Sequence, residues 1–414
     1  MINKERFERE FRQISKFGAL SDGGLTRLAF SKEECEAREY LYELFKAADL
    51  KVRVDSVGNI YAKFDDEKFI TKPSAPAVSV GSHIDSVPFG GFYDGTLGVM
   101  AGLEAVRSIK ELGITLKRPL ELIVFACEES SRFKMATIGS KIISGKLGLN
   151  KLHELKDDSD ISLFDAMKNF GLEPQNLNSA ILQKGAYHSY LELHIEQGPV
   201  LERLNIAVGV VTGIAAPIRY ELVIKGRADH SGATPMNMRN DALVAASYII
   251  IAAEKFAIAK STAVATIGYA KTKPGVLNVV PGEVVLGVDI RDIDKDELSA
   301  LDKELRQFVA NLSREMKFSY KITELIRDTP VKLSQKAINL LTNEAQNLGI
   351  KTINLPSGAG HDAMNMLSLA DSVGMLFIPC KDSISHNINE SINFDDAFKA
   401  TEILTAAMIK LANE

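Results

Sequence analysis

Apolar residues recur at helical spacing near the start of the chain. Phe7, Phe11 and Ile14 do so within residues 4–17, and Ala37, Tyr40, Leu41, Leu44 and Phe45 do so behind Ser31. Ser31 with Glu33 and Glu34 behind it carries an N-cap signature, so the spacing predicts two helices here. Residues 51–54, 59–64 and 75–81 read as strands, and a helix over 95–112 follows a glycine-rich loop. Residues 121–127, Glu-Leu-Ile-Val-Phe-Ala-Cys, form a short continuous apolar run, the pattern of a strand covered on both faces. Strands alternating with helices of this length predict an α/β fold with a mixed, mostly parallel sheet flanked by helices. Ligands of such sheets gather at the carboxyl ends of strands, where His83 and Glu128 both fall.

The pattern changes near Gly213. Residues 218–225, 263–271, 284–291 and 319–323 read as strands, with helices over 240–259 and 294–315. That βαββαβ order predicts a compact α+β module of roughly a hundred residues. A helix over 334–348, a buried strand over 375–378 and a final helix over 394–412 follow. A chain of 414 residues is too long for one ordinary core. The expected division is therefore a first domain over 1–212 and 328–414, interrupted by an inserted domain over 213–327.

Composition narrows the class. An apolar fraction of 46% and a charged fraction of 25% are those of a soluble globular protein. A net charge of −5 with no Lys/Arg cluster argues against nucleic acid as a partner. No apolar run is long enough to span a bilayer, and the charged start of the chain is not a signal peptide, so no membrane partner is expected. Cys35, Cys127 and Cys380 are widely separated and lack metal-finger spacing. They read as reduced thiols of a cytoplasmic protein.

The chemistry begins at Gly81-Ser82-His83-Ile84-Asp85-Ser86, followed closely by Gly91-Phe92-Tyr93-Asp94-Gly95. An imidazole at a strand end can bind a metal through one ring nitrogen, while a nearby carboxylate such as Asp85 fixes the other. The glycines let the backbone bring Asp94 back over the same place. Glu128 and Glu129 follow the apolar strand directly; alternation at a strand end lets one carboxylate bind metal while its neighbour faces substrate. His194 lies in the strand-like segment 191–199, and His386 in a polar loop. Each alone is weak, since an acidic pair is commonly solvated and a lone histidine commonly packed. Together His83, Asp94, Glu129, His194 and His386 offer three imidazoles and two carboxylates, a set suited to Zn, Mn, Co or Ni. Five ligands for two divalent ions leave open positions for water, the pattern of a dinuclear metal hydrolase.

These segments, with Gly24-Leu25-Thr26-Arg27-Leu28-Ala29, Glu128-Glu129-Ser130-Ser131-Arg132-Phe133, His194-Ile195-Glu196-Gln197-Gly198-Pro199, His230-Ser231-Gly232-Ala233-Thr234-Pro235-Met236, Gly358-Ala359-Gly360-His361-Asp362-Ala363 and Ser385-His386-Asn387, run nearly end to end. In this order they resemble the amidase branch of the dinuclear zinc aminoacylase and carboxypeptidase superfamily. That branch contains N-carbamoyl-L-amino acid hydrolases, allantoate amidohydrolases and β-ureidopropionases.

The resemblance implies a zinc-exopeptidase-like first domain and a ferredoxin-like lid or dimerisation domain. It implies that Asp94 bridges two metals, with His83 and His194 on one and Glu129 and His386 on the other. Glu128 is then the general base and Asp85 the residue that orients His83. His230 is implied as the oxyanion donor, with Asn278 and Arg291 gripping a substrate carboxylate and Gln197 and Gly360 lining the pocket; the role of His361 stays open. The implied reaction is hydrolysis of the terminal ureido bond of an N-carbamoyl-L-amino acid, with allantoate second and N-carbamoyl-β-alanine third. Hydrolysis of dipeptides or N-acyl amino acids is the alternative reaction class. A homodimer through the inserted domain is also implied.

Overall fold

The computed structural model describes residues 2–414. Two compact units emerge, one of Met1–Thr212, Leu333–Leu355 and Gly360–Glu414, the other of Gly213–Lys332 with Pro356–Ala359.

The first unit is built on a mixed sheet. Its strands run in spatial order Lys51–Val54, Ile60–Phe64, Leu120–Phe125, Ala77–His83, Tyr187–Ile195, Ala370–Ile378 and Val208–Ile214. The pairs from Leu120–Phe125 across to Ala370–Ile378 are parallel and the flanking pairs antiparallel, as the strand–helix alternation predicts. Every residue of Ala77–His83, Leu120–Phe125 and Tyr187–Ile195 is buried. His194 therefore lies on a strand covered on both faces, which is why its neighbours read as apolar.

The helix Thr96–Glu111 packs on this sheet and is itself buried from Thr96 through Ile109. Each of its Leu and Val side chains contributes on the order of 1.5–3 kcal/mol by leaving water. It approaches closely because Gly98 has no side chain: a Cβ there would lie 2.3 Å from the Leu193 carbonyl oxygen. Ser31 caps the helix Lys32–Ala47 by accepting the Glu34 amide, and Asn393 caps Phe394–Ala412 by accepting that of Asp395.

The second unit has strands in spatial order Ser319–Arg327, Ala216–Lys225, Glu283–Asp292 and Val264–Lys273, all paired antiparallel. Strict alternation puts Ile218, Tyr220, Leu222 and Ile224 with Val284, Leu286, Val288 and Ile290 into one core beneath the helices Ala242–Ile258 and Lys295–Met316. The last strand runs to Arg327 rather than stopping at Thr323; a shift of register between Glu324 and Ile326 breaks the alternation of its final residues. The unit itself extends to Lys332 and takes in the short Pro356–Ala359 segment. The strand Val208–Ile214 and the helices Ile138–Ile143, Leu149–Glu154 and Leu163–Asn169 have no counterpart in the sequence reading. Among the described residues, no helix is long and apolar enough to cross a membrane.

Candidate active site

His83 is the last residue of its strand, and Asp94 lies in the loop that leads into Thr96–Glu111. Gly95 caps that helix at φ +60°, and a Cβ there would meet the His83 ring at 2.3 Å. The bare backbone therefore lets Asp94 reach the histidines. Asp94 Oδ1 lies 3.3 Å from His83 Nε2 and 3.2 Å from His194 Nε2. Its Oδ2 lies 3.2 Å from His386 Nε2, which in turn is 3.4 Å from Glu129 Oε1. Two donor groups result, His83–Asp94–His194 and Asp94–Glu129–His386, each with ligand atoms within 4.8 Å of one another. Nitrogen and carboxylate donors converging in this way fit divalent transition ions.

The acidic pair is arranged differently from the strand-alternation argument. The strand ends at Phe125, and Cys127 turns the chain at φ +53°. Glu128 and Glu129 thus belong to a buried loop. Their amides donate to the two carboxylate oxygens of Asp85, at 3.1 and 3.0 Å. Asp85 holds His83 chiefly through its backbone carbonyl, 3.0 Å from Nδ1, with its carboxylate at 3.5 Å. One residue thus orients the histidine and aims both glutamates. Glu128 Oε2 lies 3.7 Å from His83 Nε2.

Charge is concentrated here. Burial opposes ionisation of Asp94, yet His194, His386 and His83 around it bring its carboxyl well below the ordinary range. Burial likewise opposes a charged His83, and Glu128, Asp85 and Asp94 overcome it, so its pKa is raised well above normal. Burial pushes Glu128 well up, with His83 opposing and Glu129, Asp362 and Asp85 adding to the rise. His386 is raised to about 11 by its bonds to Asp94 and Glu129. In the metal-free protein, protons on imidazoles balance the carboxylates that would otherwise bind cations.

Further residues complete the centre. Gln197, at φ +57°, donates to Asp94 Oδ2 at 2.7 Å, and its own carbonyl oxygen is buried without a partner. It is thus beside the Asp94 carboxylate shared by the two donor groups. Sequence reasoning missed Glu390, which accepts the Tyr93 amide at 2.9 Å, the Asp94 amide at 3.3 Å and the Ser385 hydroxyl at 3.1 Å. It ties the Asp94 loop to the His386 loop. Its only sequence signal is an acid four residues after His386. His361 is buried against the His194 ring, 4.5 Å between centroids. Beside Gly360, a Cβ would meet only Met364 Sδ at 4.0 Å, so the glycine leaves open space.

The remaining expected residues lie in the second unit. Val279 pairs with His230, and the Ser231 amide donates to the Asn278 carbonyl at 3.0 Å, so His230 and Asn278 are neighbours. His230 Nδ1 accepts the amides of Gly232 and Ala233 at 3.1 and 3.2 Å. An accepting Nδ1 leaves the proton of the neutral ring on Nε2, which then faces outward as a donor. Arg291 donates Nε and Nη2 to Asp289, both at 3.0 Å, and Nη1 to the Gly358 carbonyl at 2.9 Å. Its guanidinium is held in place with further N–H groups to spare.

Residues 80–410 match the family described as peptidase family M20/M25/M40. An N-carbamoyl-L-amino-acid amidohydrolase of Paenarthrobacter aurescens is 38% identical over 98% of this chain and 97% of its own length. A ureidoglycolate hydrolase of Oryza sativa subsp. japonica is 34% identical over 97% of this chain and 84% of its own. The crystal structure of an amidase of the hydantoinase/carbamoylase family from Burkholderia multivorans superposes with a TM-score of 0.92 at 30% identity. It covers 100% of this chain and 98% of that one.

Proposed function

The chain belongs to peptidase family M20/M25/M40, and from that premise we propose that it hydrolyses the terminal ureido C–N bond of N-carbamoyl-L-amino acids. The observation that carries this reading is the pair of donor groups sharing Asp94, with Glu128 buried beside them. His83, Asp94 and His194 would hold one divalent ion, and Asp94, Glu129 and His386 a second. Bound there, such ions supply Lewis acidity toward water and the ureido carbonyl.

The side chains perform the rest. Glu128 takes a proton from the attacking water as the new C–O bond forms at the carbamoyl carbon. It returns that proton to the departing nitrogen as the C–N bond breaks, so the carboxylate ends as it began. Its burial favours the protonated form, which suits a group that must hold a proton midway. His230 Nε2–H serves as donor to the oxygen that gains negative charge. Arg291 and Asn278 take the substrate carboxylate, and Gln197 and Gly360 line its path. Ammonia leaves, and the N-carboxy amino acid that remains loses carbon dioxide as its own C–N bond breaks, giving the free amino acid. A homodimer through the second unit is part of the same proposal.

A second reading is ureidoglycolate or allantoate as substrate, favoured by the similarity to the rice ureidoglycolate hydrolase. Both offer a ureido group beside a carboxylate, so the same machinery would act. Initial rates of ammonia release from N-carbamoyl-L-methionine, allantoate and ureidoglycolate, side by side, test the proposal. Preference for the carbamoyl amino acid is the expected result. Preference for either of the others moves the assignment to the second reading. Silence on all three, with hydrolysis of a dipeptide or N-acyl amino acid, overturns the ureido reading.

A further inference from the structure

Arg27, within the Gly24–Ala29 motif, is wholly buried and takes no part in the chemistry above. Its Nε donates to the Ile84 carbonyl at 2.6 Å and its Nη2 to Thr96 Oγ1 at 2.8 Å. Its Nη1 donates to the carbonyls of Ile14 and Phe17, at 3.0 and 3.1 Å. The backbone joins in: the Arg27 amide donates to Ser86 Oγ at 2.9 Å, and the Ser86 amide to the Arg27 carbonyl at 2.8 Å. Ile84 lies between His83 and Asp85, and Thr96 is the second residue after Asp94. The Thr96 amide closes back on the Asp94 carbonyl at 2.6 Å.

One rigid planar fork therefore spans the backbone carbonyl just after His83 and the hydroxyl of Thr96, two residues after Asp94. Every acceptor on it is a neutral oxygen, and no carboxylate is bonded to it among the described residues. Burial pulls its pKa to about 10, opposed by Glu34 and Asp85, so it stays a cation at neutral pH. Burying a charge on neutral acceptors alone is costly, and an apolar side chain would fill the space at less cost. The two groups share Asp94, but the residues peculiar to the other are held by different means: Glu129 through the Asp85 carboxylate, and the His386 loop through the bond from Ser385 to Glu390.

We propose that Arg27 is a positioning residue that sets the spacing of His83 and Asp94, and through it the affinity of the ion held by His83, Asp94 and His194. The proposal rests on the two-ion reading of the centre. Cobalt(II) titration of the metal-stripped protein, followed by visible absorption and competition with a chromophoric chelator, reads both affinities without turnover. The wild type takes two ions. Arg27→Met keeps one affinity and weakens the other about 10- to 100-fold, the usual scale for a residue behind a ligand. Arg27→Lys keeps the charge without the fork and falls between. Thr96→Val, which removes one acceptor, weakens the same ion, and Thr96→Ser restores it.

Two wild-type affinities in Arg27→Met, or equal weakening of both ions, overturns the assignment. Should Arg27→Met not fold, the Thr96 pair decides, and equal affinities in Thr96→Val and Thr96→Ser overturn it. A wild-type protein that takes only one ion overturns the two-ion reading itself, a result that needs no variant.

Discussion

At the scale of single residues, the centre depends on Asp94, Gly95 and Glu128. Gly95→Ala forces a methyl group into the space of the His83 ring at a left-handed backbone position. The expected outcome is loss of metal from the His83 group, read by elemental analysis of the purified variant. On the proposed mechanism, Glu128→Gln removes the proton carrier and no ligand. Ammonia release should drop by about 10²- to 10⁴-fold with metal content unchanged. Protonation provides a third test. With a pKa raised from 6.5 to about 11, His386 in the metal-free folded protein keeps a proton that the unfolded chain releases. Between those values the folded state binds more protons, so stability falls as pH rises. His83 and Glu128 are raised as well and act in the same direction. The Tm of metal-free protein should therefore decline across that window; a flat or rising Tm would contradict the assignment. The cluster of His83, Asp94, Glu129, His194 and His386 was legible because imidazoles and carboxylates near strand ends leave a side-chain signature. Glu390 and the double task of Asp85 were not, since both act by accepting backbone amides, which no residue pattern announces.

At the scale of elements, the helix Ala242–Ile258 is apolar on much of its exposed face as well as its buried one, with Ser247, Glu254 and Lys255 the polar exceptions. Ala245, Ala246, Ile249 and Ala253 face the core while Val244, Tyr248, Ile251 and Ile258 are exposed. The strand Val264–Lys273 beside it is an edge of its sheet, with pairing groups open on one side. These two features support the proposed homodimer through a second copy of this surface. Light scattering should give a dimer for the wild type and a monomer for Tyr248→Glu combined with Ile251→Glu. A monomeric wild type would contradict the dimer. Long elements were legible from period alone, as with Phe394–Ala412, whose polar face and Asn393 cap mark both its register and its start. The helices between Ile138 and Asn169 were not, because six or seven residues show less than two turns of periodicity.

At the scale of the molecule, the division of labour separates two kinds of loss. The proposed metal ligands belong to the first unit and His230 to the second. His230→Ala should therefore leave metal content unaltered while lowering kcat by about 10²- to 10³-fold, the usual loss for an oxyanion donor. Metal loss in that variant would contradict the role. The substrate's side chain left no mark in the sequence, since a pocket is a shape made by residues distant along the chain. The most direct test of the central claim is metal titration of ammonia release from N-carbamoyl-L-methionine by the metal-stripped protein, run beside Glu128→Gln. Activity should rise with added ion and saturate at two per chain, with Glu128→Gln binding both ions while its ammonia release stays about 10²- to 10⁴-fold lower. Full activity without metal, or in Glu128→Gln, would contradict it.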